Sequence, residues 1–161
     1  MRRCFLPLIL ALIAAASPLA GQSQVTGVRN LAFGVVIRGV PNSVTPADPI
    51  RSGRFYVKHQ LNHQIQLQFT LPTQLPRVGG GGNLPITFGA TDAIAQGTAG
   101  SSVPVTFNPN NTQTFTLVTS ADFYVNLGGR VSPAAAQATG NYQGTVTLTC
   151  GRAEMGQAVY T

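Results

Sequence analysis

The sequence predicts an all-β fold, an antiparallel β-sandwich of about eight strands. Three observations carry that prediction. Apolar and polar residues alternate with period two in one run after another, the pattern of strands that bury one face and wet the other. Glycine and proline, 18 and 11 of 161 residues, break those runs at short intervals. Charge is scarce: 9% of residues are charged, where a soluble domain averages about 25%. Long helices draw on Lys, Glu and Arg for their solvated face, and here Thr, Gln, Asn and Ser fill the polar positions. A helical bundle is excluded on those grounds, and the length fits one domain behind a leader.

Residues 1–21 read as a secretory signal. Arg2 and Arg3 form a basic start, Phe5 to Ala16 an apolar stretch, and Ser17 and Pro18 lead into small residues, with Ala20 or Gly21 the expected last leader residue. A membrane-spanning helix needs about 20 apolar residues. Pro18 and the polar Gln22-Ser23-Gln24 stop this stretch short, and no later segment is long enough to span. The mature chain is therefore expected to be exported to the periplasm, the cell surface or the medium, with no transmembrane span. Residues 22–29 are a short N-terminal extension whose apolar members are Val25 and Val28, residues 30–150 the sandwich, and residues 151–161 a C-terminal tail.

Within the domain the strands follow from alternation. Leu31, Phe33, Val35 and Ile37 open it, and Phe55 and Val57 come next. The clearest run sets Ile65, Leu67, Phe69 and Leu71 against Gln64, Gln66, Gln68 and Thr70. Leu84 to Phe88 is a shorter piece, followed by Val103 to Phe107, Phe115 with Leu117, and Phe123 to Leu127. Tyr142 to Cys150 is the last. Between them, Gly39 to Gly53 holds three prolines and reads as an irregular link. Leu75 to Pro85 contains four consecutive glycines, and Asn108-Pro109-Asn110-Asn111 reads as a hairpin turn.

Chemical motifs are few. The glycine run 79–82 lacks the following helix and the Lys-Ser/Thr pair of a phosphate-binding loop, so it reads as a plain loop. His59 and His63 would lie about 13 Å apart on a strand, too far for one ion, and no Cys, Asp or Glu lies nearby to complete a metal site. Asp48, Asp92, Asp122 and Glu154 are widely separated, and no Gly-x-Ser-x-Gly elbow is present. No catalytic, metal-binding or cofactor-binding residue is assigned, and the chain is expected to be no enzyme. Without the leader, eight basic residues face four acidic ones, a net charge of +4. The nearest approach to a basic cluster is Arg51, Arg54 and Lys58, too sparse for a nucleic-acid stripe. Cys150 has no partner cysteine in the mature chain and reads as a small hydrophobe closing a strand.

Two stretches carry a resemblance: Asn30-Leu31-Ala32-Phe33-Gly34-Val35, and Leu127-Gly128-Gly129-Arg130-Val131 followed by Gln137 and Gly140-Asn141-Tyr142-Gln143-Gly144-Thr145-Val146-Thr147-Leu148. With Gly53-Arg54-Phe55-Tyr56-Val57 between them, the ordered set resembles a family of secreted bacterial domains of unknown function related to spore coat protein U and to fimbrial, pilin-like subunits. That resemblance covers about residues 28–150. It implies an immunoglobulin-like sandwich, export, and a structural or adhesive surface role. Gly140 and Gly144, on either side of Tyr142, are expected to supply positive φ or close backbone approach.

The expected function is thus a non-enzymatic surface subunit, pilus-like or spore-coat-U-like. The alternative is a secreted or periplasmic β-sandwich module that binds a glycan or peptide through an exposed aromatic cluster drawn from Tyr56, Tyr124, Tyr142 and Tyr160. The expected partner is a second copy or a periplasmic chaperone, engaged by β-strand addition. Candidate contact residues are Val25 and Val28 in the extension, and Met155, Val159 and Tyr160 in the tail.

Overall fold

The computed structural model describes residues 24–58, 63–97, 104–117 and 122–152. The leader, His59 and the tail residues Met155, Val159 and Tyr160 lie outside them. Every regular element among the described residues is a strand. In chain order these are β1 Gln24–Arg29, β2 Asn42–Val44, β3 Gly53–Lys58, β4 His63–Thr70, β5 Gln74–Pro76 and β6 Asn83–Thr87. They continue with β7 Ala93–Gly97, β8 Val105–Phe107, β9 Gln113–Leu117, β10 Asp122–Leu127, β11 Gly129–Val131 and β12 Thr147–Arg152. All pairings are antiparallel, and they form a five-stranded sheet β1-β3-β10-β7-β8, a four-stranded sheet β2-β11-β6-β5 and a three-stranded sheet β12-β4-β9.

The five- and three-stranded sheets are the two halves of the sandwich. Val57, Phe123, Val125 and Leu127 from the first meet Ile65, Leu67, Phe69 and Leu148 from the second in one buried cluster. The run from Gln64 to Thr70 does what its alternation predicts: Ile65, Leu67 and Phe69 are buried while the three glutamines are exposed. Phenylalanine rings bridge the halves, with Phe55 edge-on to Phe69 and Phe107 edge-on to Phe115. A second, smaller core of Leu75, Leu84, Ile86 and Val131 lies along the four-stranded sheet, flanked by half-buried Phe33, Val36 and Tyr142.

Among the described residues twelve strands stand where about eight were expected, because β1, β2, β5, β7 and β11 form in segments where no strand was expected, while residues 31–37 form none. At Gly128 the chain leaves β10 in the five-stranded sheet for β11 in the four-stranded one, so Gly128-Gly129 is where it crosses between sheets. A Cβ at Gly128 would sit 2.8 Å from the Pro46 nitrogen and closer still to the Val44 carbonyl, leaving room only for glycine. The Asn108–Asn111 segment is a turn, with Asn108 Oδ1 accepting from the Asn110 backbone N–H at 3.0 Å. It is not a hairpin, since β8 pairs in the five-stranded sheet and β9 in the three-stranded one. The Gly39–Gly53 link contains β2, paired with β11. The glycine loop closes the β5–β6 hairpin, with positive φ at Gly79, Gly80 and Gly81.

Two expected strands are corrected. Residues 31–37 form no ladder: Gly34 and Gly39, at φ 68° and 71°, turn the chain, and its backbone bonds are isolated ones such as Ala32 N–H to Arg51 O. The last strand begins at Thr147, with a lone bridge of Tyr142 to Arg77 before it. A strand needs a neighbour to take its N–H and C=O groups, and between these two segments the neighbouring position is an open cleft. The N-terminal extension, by contrast, is in the sheet as β1, paired with β3 from Gln24↔Lys58 to Arg29↔Arg54 with a register shift between Gly27 and Arg29.

Candidate functional site: an open seam in the sandwich

The cleft runs between residues 27–38 on one wall and 137–146 on the other. Its floor holds Phe55, Leu75, Leu84, Ile86 and Leu127, and its volume is about 1370 Å³. Small-molecule pockets hold roughly 300–1,000 Å³, so this space suits a length of chain better than a metabolite. Among the described residues, the charged ones lining it are Arg29 and Arg38, with no carboxylate.

Both walls are tied to the body of the fold. On the first, the Arg29 side chain donates from Nε to the Ser52 carbonyl and from Nη2 to Ser52 Oγ, each at 2.7 Å, and from Nη1 to the Pro49 carbonyl. Ser52 is fully buried and belongs to a turn organised by Asp48. The Asp48 carboxylate accepts from the Arg51 and Ile50 backbone N–H groups at 2.8 and 2.9 Å and from Arg51 Nε at 2.9 Å. Those backbone bonds first, then the Arg51 guanidinium, hold its pKa down at about 2.

On the second wall, Tyr142 Oη donates to the Ala138 carbonyl at 2.6 Å and accepts from Gln137 Nε2 at 2.7 Å. Arg77 reaches over from the β5–β6 hairpin, donating from Nε to the Thr139 carbonyl at 2.8 Å. Gly140 passes directly beneath that side chain at φ 148°, where a Cβ would lie 2.5 Å from Arg77 Nε. A Cβ at Gly144 would lie 2.8 Å from Leu75 Cδ2. The two glycines flanking Tyr142 serve as expected, one for φ and close approach and the other for close approach alone.

The apolar residues of the first wall are incompletely covered. Leu31, Phe33 and Val36 are half-buried, while Val35 is 94% exposed although it lines the cleft. Val35, Ile37 and Val40 together form an exposed apolar strip along one short segment, more than scattered surface hydrophobes would give. The sequence reading missed this site because alternation at 31–37 signals a strand whether or not a neighbour is there to pair with it.

Of the expected contact residues, Val25 lies in β1, half-buried against the main core, and Val28 is 54% exposed on the same strand. The tyrosines divide. Tyr142 belongs to the cleft wall, whereas Tyr56 and Tyr124 sit side by side on the outer face of the five-stranded sheet, rings 5.5 Å apart. Tyr56 Oη donates to Asp122 Oδ2 at 2.7 Å, and this bond raises the phenol's pKa above its ordinary value. Arg51 pairs with Asp48, and Arg54 stacks on Tyr124, so the sparse basic cluster is split between a turn and a sheet face. Among the described residues no three His, Cys, Asp or Glu side chains come together, and no helix is long and apolar enough to cross a membrane.

No protein-family profile and no curated protein matches this sequence. Among solved structures, a chain from a study of a chaperone–tip adhesin complex in CFA/I fimbriae biogenesis aligns at a TM-score of 0.48 and 12% identity, over 84% of this chain and 43% of that one. This chain therefore spans less than half the length of the chain it aligns with, and at that identity the likeness concerns the fold alone.

Proposed function

We propose that this chain is an exported, non-enzymatic surface subunit, structural or adhesive and pilus-like, whose sandwich is completed by an extended strand from a second copy or from a periplasmic chaperone. The open seam carries the reading. Two segments, 31–37 and 143–146, border a cleft with apolar residues on its floor without forming a ladder with each other. An inserted strand would supply main-chain partners on both sides and seat alternate side chains on the floor. The positive rim at Arg38 favours an occupant that carries an acidic residue.

The test is a fusion of the mature chain, starting near Gly21 or Gln22, to a C-terminal linker and a strand of alternating apolar residues. Seating two or three such side chains, at about 1.5–3 kcal/mol each less the cost of ordering the strand, should add roughly 2–4 kcal/mol to unfolding. The amides of residues 33–37 and 144–146 should gain protection from hydrogen exchange, whereas Ala32 and Gln143 are already bonded to Arg51 and Pro76. A fusion no more stable than the unfused chain, with the amides of 33–37 and 144–146 unchanged, would sink the proposal.

A further inference from the structure

We infer that the strand taken up by the seam is the C-terminal segment 153–161 of a second copy, so that the chain assembles head to tail. The inference rests on strand uptake at the seam and names the donor. Two stretches of this chain lie at its ends and could supply one, the N-terminal extension and the segment beyond β12. The first is already used: Val25 and Val28 belong to β1, whose backbone pairs along β3 within the same copy. The second lies outside the described residues. Extended, it sets Ala153, Met155 and Val159 on one face, with Gln157 between the last two, and Glu154 on the other.

Reach decides between a copy's own seam and a neighbour's. β12 runs away from the seam: Val146 lines the cleft just before Thr147, whereas Arg152 pairs with Ile65 near the far end of β4. To return, the segment must reverse and retrace β12, a distance of about 17 Å. Its full extended length is about 30 Å, and a turn takes two residues or more, so only about 6 Å remains to lie against residues 31–37. A neighbour's seam imposes no such detour. Charge agrees with this donor. Arg38 is exposed at the rim, and among the described residues no carboxylate lines the cleft. The chain has four acidic residues. Asp48, Asp92 and Asp122 are bonded within the fold, to Arg51, to the Gly89 backbone N–H and to Tyr56. Glu154 is the fourth, near the start of the donor segment. With Met155 and Val159 on the floor, Glu154 lies on the opposite face, towards the Arg38 rim. Donor and seam are different surfaces of one chain, so the contact is heterologous and repeats from copy to copy.

The mature full-length chain, kept reduced so that Cys150 cannot link copies, can be followed by sedimentation velocity up to about 1 mM. Its mass should rise with concentration past that of a dimer. Two variants separate the surfaces. Val35→Asp, at a position 94% exposed and so tolerable to the fold, spoils the seam and leaves the segment. Met155→Asp with Val159→Asp spoils the segment and leaves the seam. Each alone should stay monomeric, and an equimolar mixture should form a one-to-one dimer and nothing larger. Arg38→Glu or Glu154→Lys should weaken self-association about fivefold, and a chain carrying both should regain it. A folded parent chain still monomeric at about 1 mM would overturn the inference. Undiminished association in either surface variant would do the same. If the fused alternating strand stabilises the chain in those cases, the seam reading stands and only the donor is wrong, whereas a fusion without effect removes both.

Discussion

Val35→Gln separates a side chain that waits for a partner from one that supports the fold. Val35 is 94% exposed and lines the cleft. Fully burying a valine is worth about 1.5–3 kcal/mol, so the 6% that is covered contributes roughly 0.1 kcal/mol to the unfused chain. Replacement by glutamine should leave that chain's stability within about 0.5 kcal/mol. In the strand-filled fusion the same position is covered by the donor, and the substitution should cost about 1–2 kcal/mol. Urea titration of four proteins, with and without the fused strand and with and without the substitution, reads the difference as a double-mutant cycle. Two results would refute the reasoning. A loss above about 1 kcal/mol in the unfused chain would mean that Val35 is packed. An equal effect in both backgrounds would mean that no strand covers it.

The other predictions concern the scaffold that keeps the seam open. Leu67, fully buried in the central strand of the three-stranded sheet, should cost about 2–5 kcal/mol as Leu67→Ala, while exposed Gln66→Ala should cost well under about 1 kcal/mol; equal values in denaturant melts would show that the faces are misassigned. Gly140→Ala must leave φ 148° and displace Arg77 from Thr139, a loss of about 2–4 kcal/mol. Gly79→Ala has positive φ but nothing within 4 Å of its Cβ, and should cost only about 1 kcal/mol; a reversed order in the same melts would contradict the packing of the second wall. The pKa of Asp48 is depressed, so its stabilising contribution is fully present above the ordinary carboxylate value near 4 and is lost as pH falls towards 2. Asp48→Asn should flatten the acid limb of the stability–pH curve over that window, and an unchanged limb would remove Asp48 from the account.

The all-β class and the inward faces of most strands were legible without coordinates, because side chains alternate on a strand whatever it pairs with. Ile65, Leu67 and Phe69 against the glutamines is the clear case, and Phe123, Val125 and Leu127 another. The glycines on either side of Tyr142 were legible too, since residues without a Cβ in a β-rich chain mark positive φ or close approach. Pairing was not legible. Alternation at 31–37 and at 142–148 looks the same as in the core strands, yet the first segment lacks a ladder entirely and the second starts one only at Thr147. Sheet membership escaped for the same reason. The Asn108–Asn111 turn has hairpin composition, but its flanking strands belong to opposite halves of the sandwich. Local sequence dictates turn chemistry and which side chains share a face. Which strand lies beside which, and where one is missing, depends on contacts between residues far apart in the chain, so only the tertiary structure decided the seam and the meeting of Tyr56 with Tyr124 across β3 and β10.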